Sequence, residues 1–329
     1  MLCVLPTIFP HIYKVSVIWC DSLLTFPRTN SLPSLSPPRT MAVVNLQALN
    51  SRLGYARLAA LFMTCLAFSL VVHSRVWWGQ FGSWCLFAWC FSFATIALVL
   101  LLEVAGLTSK APVSWREAPV ALAAFSGLLC LSASIIYPVR FVNQDSRQQE
   151  YTVTATVASC LATVAYAVQV WLSKARPGEV TGYLATVPGL LKVVEAFAAG
   201  VIFAFVGNTS YDRYPALQWC LAVYCICFIL AALLILLFLT GRSSWLPTPL
   251  ERWLGAYALL GVLLYATATI LWPLFCFDRR YGHSSRPSGC GRGCYWDNQV
   301  AVAVLTAFNL LVYVADLIHS GRLVFIRTH

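Results

Sequence analysis

A chain of 329 residues that is 60% apolar and only 10% charged, with a mean hydropathy of +0.75, is no ordinary soluble domain, where about a quarter of residues carry charge. The formal charge of +10 does not point to nucleic acid, because Lys and Arg are scattered through short polar segments and form no basic stripe. Nor do the thirteen cysteines describe a secreted disulfide scaffold, since most lie inside apolar runs, where Cys behaves as a small hydrophobe. The class implied is a polytopic membrane protein.

Residues 1–50 contain an apolar run, Leu2 to Phe26, broken by Pro6, Pro10, His11, Lys14 and Asp21, which leaves neither a signal-peptide core nor a spanning length. Pro27, Pro33, Pro37 and Pro38 among Ser and Thr then read as a disordered tail, with Met41 as a second possible start. Eight runs follow, each close to the roughly 20 apolar residues that cross a bilayer. They lie near Leu58–Val72, Trp84–Leu102, Val120–Tyr137, Val153–Leu172, Leu190–Val206, Leu217–Leu239, Leu254–Phe275 and Val300–Ile318. Short connections predict antiparallel neighbours, and the absence of water in the hydrocarbon predicts helices throughout.

The joint from Ala175 to Lys192 divides these runs into two arrays. Arg176-Pro177-Gly178 cannot continue a helix, whereas Pro188-Gly189 sits where the next one can begin. Thirteen Lys and Arg fall on the N-terminal side of the even-numbered topology, against eight on the other, four of those in the longest loop. This bias predicts that both termini are cytoplasmic. Trp77, Trp78, Trp84, Trp219 and Trp272 are then expected to form an outer aromatic belt. Asn208-Thr209-Ser210 is a glycosylation pattern in a loop too short to present it, so no glycan is expected.

The array is duplicated. Trp84-Cys85-Leu86, Cys90 and Phe93 recur 135 residues later as Trp219-Cys220-Leu221, Cys225 and Phe228. The same offset relates Ser132-Ala133-Ser134 and Tyr137-Pro138 to Thr267-Ala268-Thr269 and Trp272-Pro273, Arg57 to Lys192, and Phe68 to Phe203. Beyond the longer last loop the offset becomes 147, relating Tyr166 to Tyr313. Four spans per repeat preserve orientation, so the repeat is parallel.

Three stretches, Arg176-Pro177-Gly178-Glu179-Val180-Thr181-Gly182-Tyr183, Ala185-Thr186-Val187-Pro188-Gly189-Leu190-Leu191-Lys192 and Leu131-Ser132-Ala133-Ser134-Ile135-Ile136-Tyr137-Pro138, together with Tyr313-Val314-Ala315-Asp316-Leu317, resemble the myeloid-associated differentiation marker family. The resemblance covers about residues 50–326 and implies two tandem four-helix MARVEL-type bundles: an all-α membrane protein with units at 51–182 and 187–326 after the tail. It further implies a non-enzymatic role in organising cholesterol-rich membrane domains, membrane apposition, trafficking or cell junctions at the plasma membrane. The implied partners are lipids, cholesterol above all, besides other membrane or cortical proteins; homo-oligomers are compatible with it, and no cofactor is implied.

The residues themselves offer no nucleophile, phosphate-loop or zinc signature, and the five histidines stand far apart. Glu103, Lys192, Glu195 and Asp316, with Arg57, fall near the inner ends of their spans. They read as a ring of snorkelling or paired charges that fixes helix depth, with Lys192 and Glu195 on one helix face; the competing reading is an ion or proton path. Ala196, Gly200 and Ala204 read as a stripe for helix packing within the bundle, with lateral association to other proteins as the alternative. Leu53-Gly54-Tyr55-Ala56-Arg57 matches a loose sterol-contact pattern through Leu53, Tyr55 and Arg57. Cys290 and Cys294, spaced by glycines in the longest outer loop, are expected to form a disulfide, with Cys276 as the competing partner. A membrane organiser is the function this pattern favours; a channel or transporter for a small solute or ion is the alternative.

Overall fold

The computed structural model describes residues 49–106, 114–115, 117–141, 146–174, 183–207, 209–241, 250–281, 285–289 and 294–327. Among them are eight helices long and apolar enough to cross a membrane, one for each expected span. These are α1 (Arg52–Ser74), α2 (Gly79–Val104), α3 (Ala118–Phe141), α4 (Ser146–Lys174), α5 (Val187–Val206), α6 (Pro215–Leu239), α7 (Leu250–Phe277) and α8 (Tyr295–Arg327). The expected tail, residues 1–48, the Arg176-Pro177-Gly178 break and Asn208 lie outside the described residues.

At the starts of α1 and α5, polar residues outside the apolar runs satisfy free backbone N–H groups. Ser51 caps α1, its hydroxyl accepting from Gly54 N at 2.9 Å. Thr186 caps α5 in the same way, and Pro188 occupies the first turn, where no intrahelical N–H is needed. Gly189 is required there: a Cβ would stand 2.1 Å from the carbonyl oxygen of Tyr183, in the 3-10 turn Tyr183–Ala185 that precedes the helix.

Two compact units result. Among the described residues, one comprises 49–106 with 122–174; the other comprises 114–121 with 183–327. The sequence reading assigns residues 114–121 to the first repeat, and their bonds to the second are polar. Ser114 N donates to Leu239 O at 2.6 Å, closing the C-terminus of α6, and the Glu117 carboxylate accepts from Leu184 N at 2.6 Å.

Each unit is a ring of four helices, and the two rings are built on the same contacts. In the first, Trp84 Nε1 donates to Ser132 Oγ at 3.1 Å; in the second, Trp219 Nε1 donates to Thr267 Oγ1 at 3.1 Å. Phe68 meets Phe93 edge-on at 5.4 Å, as Phe203 meets Phe228 at 5.6 Å. Trp89 packs on Tyr137 and bonds Ser159; its counterpart Tyr224 packs on Trp272 and bonds Thr306, so a Trp–Tyr pair in one ring is a Tyr–Trp pair in the other. The duplication read from positions is therefore a duplication of packing, with chemistry exchanged across it.

Two sequence expectations need correction. Trp272 is fully buried in the second core, and Trp84 is nearly so, hence neither belongs to an aromatic belt; Trp78 and Trp219 remain exposed, joined by Trp171 and Trp253 at the opposite helix ends. Gly200 is not a packing contact within its unit, since a Cβ there would meet nothing within 4 Å, although Ala196 and Ala204 beside it are buried.

Candidate functional site

Five charged residues inside the spans, Arg57, Glu103, Lys192, Glu195 and Asp316, turn inward. In the first unit Arg57, near the start of α1, forms a salt bridge with Glu103, near the end of α2. In the second unit Lys192 on α5 forms a direct salt bridge with Asp316 on α8, and Glu195, one turn along from Lys192, approaches it at 3.8 Å. Lys192, Glu195 and Asp316 are wholly buried, at 0% exposure, which rules out snorkelling and leaves pairing as the way these charges are borne. The spacing of three made Glu195 the expected partner of Lys192, but the shorter contact goes to Asp316, across 124 residues.

Around these charges the second unit assembles tyrosines. Tyr257 donates to Glu195 Oε2 at 2.9 Å and shares a 2.8 Å hydrogen bond with Tyr313. The Lys192 ammonium sits over the Tyr257 ring, 4.3 Å from its centroid, a cation–π contact that partly replaces lost hydration. Tyr313 stacks on Tyr265, and Gly261 on α7 makes room: a Cβ there would fall 2.3 Å from the Tyr313 ring. Asn309 Nδ2 donates to Glu195 O at 3.4 Å.

These groups are ordered by α8. Thr306, Asn309, Tyr313, Asp316 and Ser320 are spaced by three and four, so they share one face, and all are buried. The stripe runs for about 21 Å at 1.5 Å per residue, some two-thirds of a hydrocarbon thickness of roughly 30 Å. The sequence reading singles out Asp316 as a charge and Tyr313 only as the counterpart of Tyr166, and misses Thr306, Asn309 and Ser320, together with Tyr257 and Tyr265. The signal was present in the polar residues at helical spacing inside an apolar run.

At the end of the unit where α5 begins, Tyr183 stacks on Phe238 at 4.3 Å and Glu117 holds the backbone of Leu184. Burial pushes the Glu117 carboxyl above the usual carboxylate range, opposed by its backbone bonds to Leu184 and Tyr183. Burial, with Asp316, Glu195 and Glu117 nearby, likewise holds the Tyr183 phenol well above its ordinary value.

The other expected sites lie apart from these charges. Tyr55 points outward at 58% exposure while Arg57 points inward to Glu103, so Leu53, Tyr55 and Arg57 do not converge on one sterol-facing surface. Cys294 is disulfide-bonded and Cys276 keeps a free thiol; Cys290 lies outside the described residues. A cavity of about 160 Å³ lined by Arg213, Tyr214, Tyr281 and Gln299 occupies the opposite end of the second unit. It is smaller than the roughly 300–1,000 Å³ typical of small-molecule sites.

The membrane-associating MARVEL domain matches residues 183–319, the second ring from its opening 3-10 turn to beyond Asp316. The myeloid-associated differentiation marker of Homo sapiens is 50% identical over 298 residues, 87% of this chain and 92% of the relative. The homologous marker of Xenopus laevis is 48% identical over 88% of this chain and 98% of its own length. Myeloid-associated differentiation marker-like protein 2 of Homo sapiens is 41% identical over 89% and 98%. No solved structure matches significantly. With relatives this similar over nearly their whole length, the chain is a multi-pass membrane protein belonging to the myeloid-associated differentiation marker family.

Proposed function

We propose that this protein organises the membrane laterally, at the plasma membrane with both termini cytoplasmic, and neither transports a solute nor catalyses a reaction. The observation that carries the reading is the division of polarity. Charges and hydroxyls turn into each ring and bond to one another, while the outward faces carry Leu131, Ile135, Val139 and Leu101 in one unit, and Leu233, Leu236, Leu263 and Leu311 in the other. Surfaces of this kind interact with lipid chains, sterol among them, and with other apolar helices, including a second copy. Ordered-membrane organisation, apposition and trafficking follow from such contacts without a reactive centre.

The competing reading, a channel or transporter, draws on the polar stripe of α8. A conduit along that stripe would need to pass Val302, which is fully buried among Trp272 and Cys276 in the apolar core next to Thr306. Reconstitution separates the two readings. Purified protein in liposomes is expected to give no ion or solute flux, whereas a flux abolished by Asp316→Asn or Glu103→Gln would replace the organiser with a transporter.

A further inference from the structure

The two rings differ at the end where, in the second, α6 begins and α7 finishes. In the first ring the matching corner is filled from within. Trp78 meets Phe141 edge-on at 5.4 Å, Phe141 is buried against Tyr137, and the Arg140 guanidinium lies 4.1 Å from the centroid of the Phe81 ring. At the offset of 135 residues that relates the repeats, the counterparts of Trp78, Arg140 and Phe141 are Arg213, Phe275 and Cys276. A small thiol therefore stands where the first ring has an aromatic side chain, and an aromatic ring stands where the first has its own cation. The cavity of about 160 Å³ opens at this corner, with Arg213, Phe275 and Cys276 all in its lining.

Aromatic rings wall the cavity. Tyr214 and Tyr281 stand at 81° with centroids 6.0 Å apart, and Phe275 packs on them at 5.5 and 4.8 Å. The Tyr214 hydroxyl donates to Tyr281 O at 2.9 Å and fixes the corner. Tyr295 also lines the cavity, and it and Tyr281 are each 40% exposed, so the site is reached from outside. The exposed Arg213 guanidinium lies 5.8 Å from the Tyr214 centroid, near the roughly 6 Å limit of a cation–π contact. No acidic side chain lines the cavity. Among the described residues, none forms an ion pair with Arg213, and no cation lies over Phe275 or Tyr281.

The depth of the site narrows the ligand. Tyr214 immediately precedes the span Pro215–Leu239, Phe275 lies in the last turn of Arg252–Phe277, and Tyr295 opens Tyr295–Gly321, so the cavity sits at the boundary between hydrocarbon and water. Lipid headgroups occupy that level. Aromatic faces attract quaternary ammonium groups, and an Arg guanidinium matches phosphate. Phosphocholine carries both groups a short linker apart, and a cavity below the size of whole small-molecule sites suits a headgroup whose acyl chains stay in the bilayer. We propose that this cavity binds the phosphocholine headgroup of a membrane lipid, with the quaternary ammonium against the rings of Phe275 and Tyr281 and the phosphate on Arg213. Free phosphocholine offers the same chemistry without the chains, and the experiment separates the two sources.

Native mass spectrometry of the full chain in a choline-free maltoside detergent counts bound lipid directly, and it is independent of lateral organisation, which partitioning tests. Short-chain phosphatidylcholine is expected to be retained several-fold above phosphatidylglycerol with the same chains, and soluble phosphocholine at least tenfold more weakly than the lipid. Arg213→Gln should lower retention of both lipids several-fold, while Tyr281→Leu should remove the preference for phosphatidylcholine. Cys276→Phe, which places in the second ring the side chain that the first ring carries, should abolish retention. If Cys276→Phe does not assemble, Arg213→Gln and Tyr281→Leu, both at exposed positions, decide. Equal retention of the two lipids by the native chain overturns the proposal, as does native retention and preference in either exposed-position variant. Soluble phosphocholine bound as tightly as the lipid would overturn the lipid as ligand.

Discussion

Replacing Lys192 with Leu removes the only cation among three wholly buried charged groups, and the consequence can be worked from their geometry. Asp316 loses its direct salt bridge; Glu195 loses a neighbour 3.8 Å away but keeps the Tyr257 hydroxyl at 2.9 Å. Breaking a buried pair from one side costs about 3–5 kcal/mol, because the partner remains as an uncompensated charge. Lys192→Leu should therefore be the most damaging single change in the cluster. Asp316→Leu should be milder, since Lys192 retains Glu195 and the face of Tyr257. Adding Asp316→Leu to Lys192→Leu should recover part of the loss, a coupling of about 1–3 kcal/mol. Adding Glu195→Leu instead should recover less, for it leaves Asp316 without a cation. Equilibrium unfolding in mixed micelles, followed by far-UV circular dichroism, measures the four variants, and surface delivery in cells should follow the same order. The reasoning is refuted if Lys192→Leu is as stable as the native chain, or if the losses in Lys192→Leu/Asp316→Leu simply add.

Gly261→Ala should destabilise the second unit, because its Cβ would meet a Tyr313 ring already held by Tyr265 and Tyr257, whereas Gly200→Ala should be neutral; thermal melting of both variants checks the contrast. Glu117 gives a pH dependence whose sign follows from burial. With its folded carboxyl raised, its contribution is complete below the ordinary carboxylate range and is lost as pH rises through the raised value. Glu117→Gln, which still offers Leu184 N an acceptor, should flatten that part of the stability profile, and a profile unchanged by the substitution contradicts the assignment. Peptide mapping without reduction should find Cys290 joined to Cys294 and Cys276 free; a Cys276–Cys294 product would reverse the pairing. A tag after His329 should be hidden from antibody in intact cells, and one inserted near Ser288 should be stained.

Much of this architecture was legible in the order of the residues. Apolar runs announce their helices because lipid leaves the backbone no other way to pair, and Thr186-Val187-Pro188-Gly189 announces the start of α5 through its capping chemistry. The repeat was legible because Trp84 and Trp219 must each find a hydroxyl for the indole N–H, which preserves Ser132 and Thr267 at the matching positions. Pairings across the ring were not legible. Nothing local links Lys192 to Asp316, and the visible spacing favoured the nearer Glu195. Trp272 misled for a related reason: a Trp beside a Pro at the end of an apolar run reads as interfacial. Its counterpart Tyr137 is equally buried, donating to Val76 O at 3.0 Å, and shows that the position belongs to the core.

Lateral organisation is the central claim, and phase-separated plasma-membrane vesicles test it most directly. Fluorescently tagged full-length protein is expected to concentrate in the ordered phase and to lose that preference when sterol is extracted, with Asp316→Asn and native chains partitioning alike because the ring interior does not touch lipid. Residence in the disordered phase, insensitive to sterol, would contradict the account.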